Sequence, residues 1–346
     1  MLGSLKRQAR WQSSNAVRAP LLTLLALAAA AGLGHAQQGQ TPVQLELERT
    51  IALPNVSGRI DHLAVDVPRQ RLFVAELGNG SVDAVDLSSG ETHRIKGLKE
   101  PQGLAYLPDR DELVVASGGD GTVRFFDAGS LAPVGSVSLG DNADNVRVDP
   151  KTGQVVVGYG SGALAIVDPV RRTVVRTIAL GAHPESFQID GEGRKAFVNV
   201  PEAHKIVVVD LDSGRVLVNW RAAHLSNFPL ALGEASGIVS VVYRIPSRLV
   251  TLEAASGTAK ADLPTCDDAD DLYFDDKRRR IYVSCGSGAI DAFEQAGGRY
   301  FASAHIETRT GARTSLFVPA LDRLFVAAPA GSHGQDAGLL VYRPTP

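Results

Sequence analysis

The feature that most constrains the fold is an internal repeat along most of the chain. Seven apolar segments align, and their starts lie 41, 42, 41, 43, 42 and 43 residues apart. The segments are HLAVDV at position 62, GLAYLP at 103, NVRVDP at 145, SFQIDG at 186, PLALGE at 229, DLYFDD at 271 and TSLFVP at 314. A fixed period of this length is typical of folds in which similar supersecondary units pack side by side and share a core.

Each repeat carries the pattern of four strands. The aligned segment is followed by a turn and a second β-rich run, such as RLFVAE or RIYVSC. A Gly-rich or polar turn leads to a third run, such as SVDAVD or KIVVVD, and a fourth, more polar run follows in most copies. Short runs rich in Val, Ile, Phe and Tyr, bounded by Gly, Asp, Asn and Pro, predict strands. The sequence therefore predicts an all-β fold, a seven-bladed β-propeller of four-stranded antiparallel blades.

The two ends of the repeat region complement each other. The seventh copy stops after its third strand, GLLVYRP, while an additional strand, VQLELERTIAL, precedes the first copy. We expect this N-terminal strand to close the last blade, because closure removes the exposed edge that an incomplete ring would leave. The predicted propeller spans residues 43–346 as a single domain.

The first 36 residues have the pattern of a secretory signal peptide. Four basic residues precede the apolar run LLTLLALAAAAGLG, and the sequence Gly-His-Ala ends at position 36. The apolar run is shorter than the roughly 20 residues that span a bilayer, so cleavage is expected rather than anchoring. We predict a signal peptide at 1–36, a linker at 37–42 and a periplasmic or secreted protein with no membrane insertion after cleavage.

The charge of the mature chain argues against one class of partner. Removal of residues 1–36 moves the formal net charge from −3 to −7. Binding to a nucleic-acid backbone needs Lys and Arg gathered on one surface, whereas here they are scattered among acid-containing segments. We therefore expect no nucleic-acid partner, and we expect a monomer.

Polar residues recur immediately before the innermost strand of each predicted blade. The loop that leads into this strand reaches one mouth of the central channel, so the seven side chains are predicted to form a ring there. The ring residues are Asp61, Gln102, Asp144, Glu185, Phe228, Asp270 and Arg313. The next position contributes His62, Asn145 and Asp271, and His183 and Asn227 lie just upstream in their own loops. We predict ligand binding by the polar members of this set: Asp61, His62, Gln102, Asp144, Asn145, Glu185, Asn227, Asp270, Asp271 and Arg313.

Two interpretations of the ring remain open. In the first, Arg313 and backbone amides neutralise the acids, and water fills the channel. In the second, the uncompensated carboxylates bind a ligand or a divalent cation, with Asp61, Asp144, Glu185 and Asp270 as the metal ligands. Oxygen ligands favour calcium or magnesium, and the two histidines His62 and His183 would also admit a zinc-like ion. No cofactor is certain from the sequence.

The two cysteines belong to the sixth repeat. Cys266 lies in the loop that leads into this blade, and Cys285 ends its second strand, so both are predicted at the mouth end. In an exported protein such a pair is predicted to form a disulfide. The alternative is two buried thiols too far apart to bond.

Three repeat units carry a resemblance to a known family. The units RLFVAELGNGSVDAVDLSSG, ELVVASGGDGTVRFFDAGS and KAFVNVPEAHKIVVVDLDSG resemble the YVTN-repeat, or YncE-like, family of extracytoplasmic seven-bladed propellers. The resemblance covers nearly all of residues 43–343 and implies the fold rather than one activity, because propellers host many functions. The fifth copy departs most, with Tyr-Arg-Ile-Pro where other copies have Gly-rich turns.

The function predicted from these features is non-enzymatic. The chain has no Cys-x-x-Cys-His and no Gly-x-Ser-x-Gly motif, so no complete catalytic signature is present. We predict an exported binding protein or scaffold that uses the channel-mouth face to bind a small ligand, a peptide or a cell-envelope protein. The alternative is a metal-dependent, lactonase-like hydrolase with a cation at the channel mouth.

Overall fold

The computed structural model describes residues 44–332 and 334–346. The predicted signal peptide at 1–36 and linker at 37–42 lie outside the described residues. The described residues form seven four-stranded antiparallel sheets. The prediction of an all-β, seven-bladed propeller is confirmed.

The strands follow the predicted repeat. Those of blades 1 to 4, four per blade and innermost first, are β2 (Leu63–Asp66), β3 (Arg71–Glu76), β4 (Ser81–Asp86), β5 (Thr92–Lys96), β6 (Pro101–Leu107), β7 (Glu112–Ser117), β8 (Thr122–Asp127), β9 (Pro133–Ser138), β10 (Ala143–Val148), β11 (Val155–Tyr159), β12 (Ala163–Asp168), β13 (Thr173–Ala179), β14 (Phe187–Ile189), β15 (Lys195–Val200), β16 (Lys205–Asp210) and β17 (Arg215–Arg221). Those of blades 5 to 7 are β18 (Leu225–Gly233), β19 (Ile238–Ile245), β20 (Ser247–Glu253), β21 (Ala259–Pro264), β22 (Ala269–Asp275), β23 (Arg280–Cys285), β24 (Ala289–Ala296), β25 (Arg299–Glu307), β26 (Thr314–Val318), β27 (Arg323–Ala328), β28 (Gly338–Pro344) and the N-terminal strand β1 (Leu45–Ala52). Within the described ranges, the only helical segments are the 3-10 turns Leu77–Asn79 and Pro201–Ala203.

The blades close into a ring through their innermost strands. β2 contacts β6, β6 contacts β10, and the series continues through β14, β18, β22 and β26 back to β2. The seventh sheet has the order β1-β28-β27-β26, with Leu45 opposite Pro344 and Ala52 opposite Gly338. The N-terminal strand thus supplies the outer strand of the blade that ends the chain.

The hydrophobic core lies between neighbouring blades rather than at the centre of the ring. One cluster, for example, packs Leu72 and Val74 of blade 1 against Phe325 and Val341 of blade 7. Among the described residues, each neighbouring pair of blades shares one such cluster. Because apolar side chains are used at these interfaces, the innermost strands are free to carry polar residues into the channel.

The acids that recur at the end of the third strands are turn formers. The Asp86 carboxylate accepts hydrogen bonds from the backbone N–H groups of Ser88 and Ser89. Asp127, Asp168 and Asp210 accept equivalent bonds in their own turns. These acids therefore stabilise the blade turns and do not belong to the channel mouth.

The basic run at 277–280 differs from the solvated turn that its composition suggests. Arg278 is only 10% exposed at its side chain and donates two hydrogen bonds to Asp322 of the next blade, at 2.7 and 2.8 Å. Arg69 makes the same paired contact with Asp111 between blades 1 and 2. Two blade interfaces are thus joined by an arginine–carboxylate clamp at the end of the ring away from the channel mouth.

Within the described ranges, no helix is long and apolar enough to cross a membrane.

Candidate functional site

A polar cavity of about 180 Å³ lies at the end of the channel where the innermost strands begin. We call this cavity the inner lobe. Its lining residues are Arg59, Gln102, Asn142, Asp144, His183, Glu185, Phe228, Arg244, Asp270 and Arg313. Six of the seven predicted ring positions are among them, because each lies at or just before an innermost strand and the repeat brings these strand ends together.

One side of the inner lobe is a network of three arginines and three aspartates, here called the arginine half. Arg244 donates a hydrogen bond of 2.6 Å to Asp270. Arg313 lies 3.1 Å from Asp270 and donates two hydrogen bonds, of 2.8 and 3.0 Å, to Asp268. Arg59 lies 3.0 Å from Asp61. The three guanidinium charges and three carboxylate charges match in number and are held in close ion pairs.

The arginine half changes the interpretation of the predicted metal site. Two of the four acids in the predicted set, Asp61 and Asp270, have guanidinium partners, so they do not offer free oxygens to a cation. Among the described residues, no group of three or more His, Cys, Asp or Glu side chains is arranged to hold a metal ion. This arrangement of side chains does not support Asp61, Asp144, Glu185 and Asp270 as a calcium or magnesium ligand set, which stays a prediction from the sequence.

The other side of the inner lobe, here called the acidic half, consists of Asp144, His183 and Glu185. The Nδ1–H group of His183 donates a hydrogen bond of 2.6 Å to the Gly160 carbonyl oxygen. Its other ring nitrogen, Nε2, lies 3.6 Å from the Asp144 carboxylate. The neighbouring Asp144 carboxylate raises the pKa of His183 to about 9, so His183 is a cation at neutral pH.

Glu185 is the acid without a partner in this half. Its carboxylate forms no hydrogen bond within 3.5 Å and no ion pair within 4.0 Å among the described residues. Burial, followed by the nearby Asp144 charge, raises the pKa of Glu185 to about 7. The cavity therefore contains a carboxyl group that is ready to accept a hydrogen bond or a cation from a ligand.

A second cavity, of about 460 Å³, opens outward from the acidic half over blades 3 and 4. We call it the outer lobe. It shares Asn142, His183, Glu185 and Phe228 with the inner lobe, so the two lobes meet at these four side chains. Its other lining residues are Asp141, Gly160, Ser161, Pro201 and Glu202.

Several predicted ligand residues lie in a layer below the cavity. Asp61, Asn145 and Asp271 are buried, and the Asp271 carboxylate accepts a hydrogen bond of 2.8 Å from the backbone N–H of Ser315. His62 lies between Asp61 and Asp271, at 3.8 and 3.9 Å from their oxygens. Burial raises the pKa of Asp61 to about 6 and that of Asp271 to about 7. These residues support the mouth from within the channel and do not line either lobe.

Asn227 lies outside both lobes. Its side chain is fully buried and its amide donates hydrogen bonds to the Asn199 side-chain oxygen and to the Lys205 carbonyl oxygen. Asn227 directly precedes the ring residue Phe228 in β18, and its side chain is turned towards blade 4. Asn227 therefore joins blade 5 to blade 4 and is not among the lining residues of either lobe, so its role in ligand binding stays a prediction from the sequence.

Three lining residues, Arg59, Asn142 and Arg244, were not predicted from the sequence. Arg59 and Asn142 lie in the loops that lead into blades 1 and 3, at positions the repeat does not share. Arg244 belongs to the atypical Tyr-Arg-Ile-Pro segment of the fifth copy, and its guanidinium lies 3.8 Å from the centre of the Phe228 ring. The departure of this copy from the Gly-rich pattern was the one signal that could have identified Arg244.

Cys266 and Cys285 are joined by a disulfide, with their Cα atoms 5.9 Å apart. The bond connects the loop before β22 to the end of β23. This loop carries Asp268, whose carboxylate binds Arg313, and it leads directly to Asp270. The disulfide thus fixes the segment that supplies two of the carboxylates of the arginine half.

The comparisons with known proteins show the fold. No known protein-family profile matches the chain, and no curated protein matches its sequence. A chain of Kuenenia stuttgartiensis hydrazine synthase superposes with a TM-score of 0.72 at 17% identity, covering 87% of this chain and 99% of that one. A chain from the crystal structure of the mitotic checkpoint complex superposes with a TM-score of 0.73 at 15% identity, covering 95% of this chain and 100% of that one. The chain is therefore similar to propeller proteins in architecture, and its function must be argued from its own site.

Proposed function

We propose that this protein is an exported propeller that binds a small polar ligand at the channel mouth. The main support for the proposal is the pair of adjoining lobes. They meet at Glu185, a carboxyl group without a partner among the described residues, in a mouth whose other charged groups are ion-paired. Concave sites with a few convergent polar groups are where small ligands bind in folded proteins.

Export and family membership belong to the same proposal. The N-terminal 36 residues support secretion to the periplasm or beyond, and the repeat units support membership of the YVTN-repeat, YncE-like family. In this proposal the mature chain is a monomer. A peptide or a cell-envelope protein would use the same face, with one polar side chain inserted into the lobes.

A lactonase-like activity is less compatible with the site. Such a mechanism needs a cation with free carboxylate ligands, whereas the arginine half already neutralises Asp61 and Asp270. The binding function needs no additional group, because Gln102, Asn142 and Glu185 already present donors and acceptors to the cavity.

The test is a ligand screen with a blocking variant. Ser161→Trp fills the outer lobe from an exposed position, and Asp109→Trp places the same bulk in an exposed turn at the other end of blade 2. We expect a ligand from a library of polar metabolites and short peptides to raise the Tm of the wild-type protein and of Asp109→Trp, but not that of Ser161→Trp. A ligand that raises the Tm of all three proteins equally would bind elsewhere and contradict the proposal.

A further inference from the structure

We propose that the ligand class of this site is a linear aliphatic diamine, with one ammonium group at Glu185 and Asp144 and the other at Asp141 and Glu202. This inference rests on the proposed binding function and adds the chemistry of the ligand. The four acids lie along the two adjoining lobes, with Asp144 in the inner lobe, Glu185 where the lobes meet, and Asp141 and Glu202 in the outer lobe.

The charges of the lobes favour a cation. The three arginines of the inner lobe are matched by Asp61, Asp268 and Asp270, so they leave no net positive charge to attract an anion. In the acidic half, the His183 cation offsets one of the two carboxylates. An ammonium ion at Glu185 would supply the missing positive charge in a site where burial strengthens the ion pair.

Asp144 points to a ligand independently of the number of acids. The residue is 7% exposed, it lines the inner lobe, and its carboxylate receives no hydrogen bond within 3.5 Å among the described residues. One carboxylate oxygen forms an ion pair with Nε2 of the His183 cation at 3.6 Å, which is beyond ordinary hydrogen-bond length, so Asp144 keeps room for a hydrogen-bond donor. A buried carboxylate that faces a cavity with open acceptor positions is costly unless a donor occupies the cavity.

The outer lobe provides a second position for a cation. Asp141 and Glu202 are exposed, and neither forms an ion pair within 4.0 Å among the described residues. His183 is the only basic side chain among the described residues that line this lobe. Two ammonium groups joined by a methylene chain would therefore meet acids at both depths.

The wall between the two depths suits a methylene chain. Phe228 lines both lobes and its ring is held in place by the Arg244 guanidinium. Pro201 adds apolar surface in the outer lobe. An aliphatic linker would be covered by these side chains, which favours a diamine over two separate ammonium ions.

The test uses four molecules with the same four-carbon chain: 1,4-diaminobutane, 1-aminobutane, 1,4-butanediol and succinate. Isothermal titration calorimetry at pH 8, in an amine-free buffer with the mature protein, compares their affinities. We expect the diamine to bind about tenfold more tightly than the monoamine, and the diol and succinate not to bind measurably.

Three variants locate the two ammonium groups. Glu185→Gln is expected to weaken both amines by about tenfold or more, because it removes the acceptor at the junction of the lobes. Glu202→Gln is expected to weaken the diamine about threefold and to leave the monoamine unchanged, because only the diamine reaches the outer lobe. Glu91→Gln makes the same change at an exposed position far from the lobes and should bind all four molecules as the wild type does. The Tm of each variant shows whether it is folded.

The outcomes separate this inference from the proposed function. Binding of succinate or the diol in preference to the amines, with loss in Ser161→Trp, would keep the mouth as a ligand site and overturn the diamine. No binding of either amine, or amine binding that Glu185→Gln leaves unchanged, would also overturn it. The proposed function would then stand or fall with the library screen, which does not depend on amines.

Discussion

The arginine half and the acidic half of the channel mouth both carry acids at the ring positions of the repeat. These acids are ion-paired with arginines in the first half and, among the described residues, have no arginine partner in the second. In the arginine half, Asp270 is held by Arg244 and Arg313, and Asp268 is bound by Arg313. In the acidic half, Glu185 occupies the ring position of its own blade and has no such partner among the described residues. The repeat register therefore brings polar groups together, and neighbouring residues at positions the copies do not share determine which of these groups remain unpaired.

This difference indicates that the two halves have separate roles: the arginine half stabilises the mouth, and the acidic half binds the ligand. A closed network of matched charges stabilises the mouth and has little to offer a ligand. A carboxyl group whose pKa is raised towards 7 by burial, and which faces open space, lowers the stability of the fold. Such groups are found at functional sites, where a ligand can bind them. Three perturbations test these separate roles.

The largest expected effect comes from the disulfide of blade 6. Replacing both cysteines, Cys266→Ala with Cys285→Ala, removes a cross-link between residues 19 apart, and we expect a loss of about 3 kcal/mol in the free energy of unfolding. Urea denaturation of the oxidised protein and the double variant measures this loss. Because the bond supports the arginine half, ligand affinity at the acidic half should change by less than about twofold. A loss in the free energy of ligand binding larger than the loss in the free energy of unfolding would contradict these separate roles.

A smaller effect is expected from the arginine half itself. Arg244→Ala leaves the largely buried Asp270 with Arg313 at 3.1 Å and the more distant Arg59 at 3.9 Å, and it removes the cation from the Phe228 ring. We therefore expect a loss of about 2 kcal/mol in the free energy of unfolding. Arg171→Ala is the matched control, because Arg171 is 78% exposed in its pair with Asp168 and should cost less than about 1 kcal/mol. Equal losses in the two variants would show that the network is not a special source of stability.

The smallest expected effect is a gain in the free energy of unfolding, and it depends on pH. The pKa of Glu185 is raised to about 7 in the folded protein, so the unfolded chain releases this proton first and stability falls as the pH rises towards 7. We expect Glu185→Gln to be more stable than the wild type by about 1–2 kcal/mol at pH 8 and nearly equal to it at pH 4.5. Denaturant midpoints at the two pH values measure the difference. A variant that is less stable than the wild type at pH 8 would mean that Glu185 is a structural residue.

The ring positions could be predicted because they follow from the repeat. Seven copies at a nearly constant spacing fix where each innermost strand begins, and that alone places Gln102, Asp144, Glu185, Asp270 and Arg313 around one cavity. The blade interfaces follow from the apolar runs in the same way, because successive side chains of a strand point to opposite faces of its sheet, and each face packs on a neighbouring blade.

The pairing of charges could not be predicted, because it depends on residues that the repeats do not share. Arg59 and Arg244 lie at positions that the other copies do not share, so alignment of the repeats gives no partner for Asp61 or Asp270. The repeat likewise gives no sign that Asn227, one residue before the ring position in β18, turns its amide towards blade 4. Two arginines at positions that the copies do not share thus determine the pairing of charges beyond what the periodicity contains.

The most direct test of the open acidic half is the pH dependence of diamine binding. Glu185 faces Asp144, His183, Asp270 and Arg244, and with its pKa at about 7 the ionised fraction rises about tenfold between pH 6 and pH 8. An aliphatic ammonium group keeps its proton over this range. Calorimetric titration with 1,4-diaminobutane should therefore give about tenfold tighter binding at pH 8 than at pH 6 in the wild type, and no such gain in Glu185→Gln. Equal affinities at the two pH values in the wild type, or the same gain in the variant, would contradict the account.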